Sequence, residues 1–124
     1  MENRFYNLTA YQEAKQLVIQ VYSLLRIFPN YEQYALCDQL RRAVISIPSN
    51  IAEGMGRSSE KEQVHFLEIS YGSLMEVISQ LDIAKDLKYI TQEQFMEVEQ
   101  QGYKVAALLS GLRSKRLNPI TTSL

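Results

Sequence analysis

Apolar residues recur every three or four positions through four long stretches of this chain, and no segment alternates with period two over the length of a strand. That recurrence is the period of an α-helix with one buried face, so it restricts the fold to helices packed on helices. The first stripe is Tyr11, Ala14, Leu17, Val18, Val21, Leu24, Leu25 and Phe28. The second is Leu36 or Cys37, Leu40, Ala43, Val44, Ile47, Ile51 and Met55. The third runs Phe66, Leu67, Ser70, Leu74, Val77, Ile78, Leu81 and Ala84, and the fourth Phe95, Val98, Val105, Ala106, Leu109 and Leu112.

Each stripe is preceded by a capping residue with Glu or Gln three positions later: Thr9 and Gln12, Asn30 and Gln33, Ser59 and Glu62, Thr91 and Gln94. Such a pair satisfies backbone N–H groups that the first helical turn leaves free. The signals predict helices over about 10–28, 31–55, 60–88 and 92–116, with 117–124 a tail, and Ser59 with Glu62 is the strongest of the four boxes. Pro29 stops the first helix, and Gly54 and Gly56 end the second. Pro48 falls inside the second helix, where it removes one hydrogen bond and crowds the Val44 carbonyl. The stripe stays in phase beyond it, so one kinked helix is expected. Short loops favour antiparallel neighbours. The expected fold is all-α: an antiparallel up-down-up-down four-helix bundle, a single domain over residues 1–124.

Composition narrows the function. The net charge of −1 gives no global basic field for nucleic acid and no acidic excess for disorder. Cys37 is the only cysteine, so no intrachain disulfide forms, which suits a reducing cytoplasm. No apolar run resembles a signal peptide or approaches the roughly 20 residues that span a bilayer. A cytoplasmic protein without membrane contact is expected.

No catalytic or metal constellation emerges, and neither a cofactor nor enzyme activity is expected. Glu62 and His65 have the spacing that di-iron bundles use, but that centre needs a second histidine and His65 is the only one. Helical-bundle ribonucleases place an arginine five residues before the catalytic histidine; here that residue is Glu60. Cys37 is in phase with Leu40, Val44 and Ile47, as a core residue would be. Gly54-Met55-Gly56 lacks the strand and spacing of a phosphate loop.

Two surface features are candidates for a partner or nucleic-acid contact. Arg42, Ser46, Ser49, Asn50, Glu53 and Arg57 form a polar stripe beside the apolar one on the second helix. It reads either as a solvated face whose Ser and Asn mend the backbone near Pro48, or as a contact surface. In the expected topology one bundle end gathers Arg4, Arg57, Lys61, Arg113, Lys115 and Arg116 against Glu2, Glu53, Glu60 and Glu62, a net +2. The opposite end has Arg26, Lys85 and Lys88 against Glu32, Asp82, Asp86, Glu93 and Glu97, a net −2. The cations in the last turn suit the helix dipole, and would also serve as a weak phosphate patch if copies assembled side by side.

The run LRRAVISIPSNIAEGMGR (Leu40–Arg57), followed by Ser59-Glu60-Lys61-Glu62, Phe66-Leu67, Gly72-Ser73-Leu74, Glu76, Gln80-Leu81 and Tyr89-Ile90, resembles the 23S rRNA intervening-sequence protein family. The resemblance covers nearly the whole bundle. It implies a left-handed four-helix bundle assembled as a homopentamer. It also implies kinship with the accessory variability determinant proteins of diversity-generating retroelements, whose basic pentamer surface binds nucleic acid and a reverse transcriptase. This chain departs by being near neutral, and by carrying Lys88 where the family often has glycine at a left-handed helix cap. Two functions follow as expectations. One is a non-enzymatic homo-oligomeric scaffold, with a second copy or another protein as partner. The other is an RNA- or DNA-binding accessory protein using Lys61, Arg113, Lys115 and Arg116 with Arg42 and Arg57.

Overall fold

The computed structural model describes residues 4–117. Its helices are α1 (Thr9–Leu25), α2 (Leu36–Met55), α3 (Glu60–Asp86) and α4 (Gln92–Leu117), with short 3-10 turns at Arg4–Asn7 and Asn30–Glu32 and no strand among the described residues. The molecule is all-α, and the helices pack as a four-helix bundle. Beyond Leu117, which is helical, the expected tail lies outside the described residues, as does Glu2.

Two start signals act differently from expectation. Leu8, not Thr9, is the extended residue before α1, and no side chain caps that end. Gln12 instead donates to the Tyr6 carbonyl at 3.1 Å. Asn30 opens a 3-10 turn and α2 begins six residues later, where the Glu32 carboxylate accepts the Leu36 N–H. Gln33, expected to close a capping box, reaches back 3.2 Å to the Leu25 carbonyl and finishes α1 three residues early. The other two signals work as written. Ser59 Oγ accepts the Glu62 N–H at 3.1 Å. Thr91 and Gln94 bond reciprocally, at 3.0 Å and 2.9 Å, and so form the fuller box of the two.

Residues 36–55 are helical without interruption through Pro48. At the end of α3, Tyr89 N–H bonds the Ala84 carbonyl and Lys88 N–H that of Lys85, both at 2.9 Å. This is the pairing of a Schellman cap, which needs a left-handed residue at Lys88, and its φ is 70°.

The core takes large side chains from every helix: Leu17 and Val21 of α1, Leu40, Val44, Ile47 and Ile51 of α2, Leu67, Leu74, Val77 and Leu81 of α3, Val105 and Leu109 of α4. Cys37 lies among them, wholly buried. Val64, rather than Phe66, is the first buried residue of α3. Cross-helix contacts fix the pairing. Gln39 meets Gln80 while Gly54 meets Phe66, so α2 and α3 run antiparallel. Arg113 meets Glu68 and Lys85 meets Phe95, so α3 and α4 do as well.

Candidate functional site

The polar stripe on α2 divides in two. Asn50 Nδ2 donates 2.8 Å to the Ser46 carbonyl and 2.8 Å to Ser46 Oγ, which is itself 2.9 Å from Ser73 Oγ on α3. One turn away, the fully buried Ser70 hydroxyl donates 2.8 Å to the Ile47 carbonyl, next to Pro48. Ser46 and Asn50 therefore bond to each other and, through Ser73, to the α2–α3 seam. Arg42 stays exposed on a shallow groove with Gln39, Ser46, Ser73 and Glu76. Ser49 is exposed toward α1.

The basic end is largely engaged within the bundle. Arg57 pairs with Glu53 and lies 4.8 Å over the Phe66 ring. Arg113 Nε donates 2.8 Å to Glu68. Arg116 donates to Gln63 Oε1 at 2.8 Å and to the Leu112 carbonyl at 2.9 Å, capping α4 and fastening it to α3. Gln63 in turn holds the Arg57 carbonyl at 2.8 Å. Lys61 and Lys115 are exposed at the same end.

Titratable groups follow their surroundings. Desolvation pushes the Cys37 thiol above its ordinary pKa. The Tyr31 hydroxyl and the Glu32 carboxylate together raise the Tyr89 phenol, which donates to Glu32 at 2.7 Å. His65 is exposed against Phe66, and no three His, Cys, Asp or Glu residues among those described are grouped to hold a metal ion.

The most distinctive surfaces are apolar. Between α1 and α2, Tyr6, Val18, Ile19, Ile45, Pro48 and Ala52 line an open groove of about 460 Å³. Ile19 is 58% exposed there and Ile45 42%. Across the bundle, Tyr71 and Met75 of α3 and Met96 and Tyr103 of α4 are all exposed, Tyr103 by 55%. Spacings of four and seven put each pair on one helix face. The α1–α4 groove mixes Gln20, Ser23, Gln94 and Glu97 with Ile19, Leu24 and Val98, whereas the α2–α3 groove carries Gln39, Arg42, Ser46 and Glu76. The α3–α4 face is not singled out by the sequence stripes given above. The signal was present as a second stripe of helical period, offset from the core one.

Such a surface defines a class: a small four-helix bundle with apolar faces beyond those its own core consumes. Residues 6–111 match the family model described as 23S rRNA-intervening sequence protein, and the chain belongs to that family. It is similar to the crystal structure of a protein of unknown function from the S23 ribosomal protein family of Bacteroides thetaiotaomicron VPI-5482, with a TM-score of 0.78 at 19% identity. The match covers 85% of this chain and 98% of that one, and at this identity the likeness is one of fold. A search of curated proteins gives no match. Among the described residues no helix is long and apolar enough to cross a membrane.

Proposed function

We propose that this chain is a non-enzymatic scaffold that assembles with itself, five copies closing a ring in which the α1–α2 face of one copy seats on the α3–α4 face of the next. The observation that carries the reading is the pair of apolar faces on opposite sides of the bundle. A face that pairs with a different face of its neighbour makes a head-to-tail contact, and such contacts close into rings when the rotation permits. Exposed tyrosine and methionine are the residue types that interface cores favour, and a contiguous apolar patch on a soluble domain marks a contact site. The family resemblance supplies the copy number.

The competing reading, contact with RNA or DNA through the basic end, has Lys61 and Lys115 to draw on. It is less well supported because Arg57, Arg113 and Arg116 already have partners within the bundle.

Two variants test the head-to-tail contact. Ile45→Lys spoils the α1–α2 face and Tyr103→Lys the α3–α4 face, both at exposed positions that leave the core intact. Each variant alone is expected to be monomeric. Mixed, they retain one intact face each and are expected to form a one-to-one dimer that grows no further. A variant that kept the wild-type mass would contradict the proposal.

A further inference from the structure

Two clusters of related design stand two turns apart along the α1–α4 seam, and one of them has its cation. In that one, Gln101 Nε2 donates 2.9 Å to the Glu13 carbonyl and 2.9 Å to the Glu13 carboxylate, and Lys104 Nζ lies 3.3 Å from the same carboxylate. Seven residues forward in α1 and seven back in α4, the seam places Gln20, Gln94 and Glu97 on one groove of about 340 Å³. Gln20 takes the position of Glu13, Gln94 that of Gln101, and Glu97 that of Lys104, so an acid stands in place of the lysine. The Gln94 amide is turned to its own helix cap, where it accepts the Thr91 N–H at 2.9 Å. Gln20 Oε1 is buried and meets no donor among the described residues. Glu97 is in no ion pair among the described residues, and no lysine, arginine or histidine lines the groove.

A buried acceptor with no donor, beside a carboxylate with no cation, is complementary to an ammonium group, which brings three donors and a positive charge. We propose that the α1–α4 groove binds a short, free aliphatic amine, its ammonium bonding Gln20 Oε1, the Glu97 carboxylate and the Ser23 hydroxyl while its methylenes lie on Leu24 and Val98. Gln20 and Ser23 are three apart on α1 and line the same groove. Turning the Gln20 amide about its last bond, a broad torsion, brings the oxygen to the opening. The net negative charge of this bundle end draws cations toward it. The site belongs to the single chain and is independent of the ring.

Ligand-observed NMR titration of the chain with n-butylamine tests the site, with 1-butanol and butyrate as the neutral and anionic probes of the same length. Butylamine is expected to bind, and the other two about tenfold more weakly or worse, since each forfeits the charge-assisted bonds. Glu97→Gln, at an exposed position, and Gln20→Met, of similar length, are each expected to weaken butylamine binding by about tenfold. Glu93→Gln removes the same charge from the same end but does not line the groove, and is expected to change affinity by less than about twofold. Nα-acetyl-lysine amide offers the same ammonium on a peptide unit; tighter binding by it than by butylamine overturns the free amine as ligand and leaves the ammonium site. No binding of butylamine, equal binding of butanol, or equal losses in Glu93→Gln and Glu97→Gln overturn the site itself.

Discussion

Lys88 is the residue whose backbone works against its own side chain. The Schellman cap fixes φ at 70°, where a Cβ costs about 1–2 kcal/mol. Glycine returns part of that as lost chain entropy, so Lys88→Gly is expected to stabilise the bundle by about 0.5–1 kcal/mol, measured by chemical denaturation. Ser70 is the buried polar side chain among the described residues, and its bond to Ile47 ties the proline segment to α3. Ser70→Ala is expected to cost about 1 kcal/mol in the same assay, and Ser70→Val more, by overpacking the seam. Cys37 is held protonated by its buried setting. Its contribution to stability is therefore complete below the ordinary thiol value near 9.0 and is lost as pH rises beyond it. A thiol reagent at pH 8 is expected to modify it at the rate of unfolding; immediate reaction would place it outside the core. The core positions of Cys37 and the left-handed cap were legible in the sequence, the first from its phase and the second from the family's glycine. The Ser70 bond was not, because the stripe gives the face a residue occupies but not the carbonyl it meets.

At the scale of elements, helix starts depend on what the capping side chains find nearby. Thr91 and Gln94 bond each other and close their box; Thr91→Ala is expected to cost about 1 kcal/mol of stability. Gln33 bonds the Leu25 carbonyl in the last turn of α1, so the same motif that starts α4 ends α1 instead. Local spacing cannot distinguish these outcomes, since they differ only in the tertiary neighbour. The same holds for the cations of α4. Their crowding in the last turn was plain from sequence, yet Arg113 and Arg116 bond residues 45 and 53 positions away, and such partners are set by how the helices cross. Within α2, Asn50 binds Ser46 through two contacts. Asn50→Ala is expected to destabilise the bundle by about 1–2 kcal/mol, read by thermal denaturation, because Ser46 loses its partner beside Pro48.

For the whole molecule, four stripes of helical period were enough to specify a bundle, because each stripe buries only against another. They were not enough to show its outer surface. Apolar residues off the main stripes are individually unremarkable, and Tyr71, Met75, Met96 and Tyr103 become a face only when α3 and α4 lie side by side. Folded, they stand across the bundle from Ile19 and Ile45. Those two apolar faces are the basis of the proposed self-assembly, the claim on which the account stands. Multi-angle light scattering of the purified chain at micromolar concentration tests it most directly. The account predicts one species at five times the 14.3 kDa chain mass, and a particle of 14.3 kDa would contradict it.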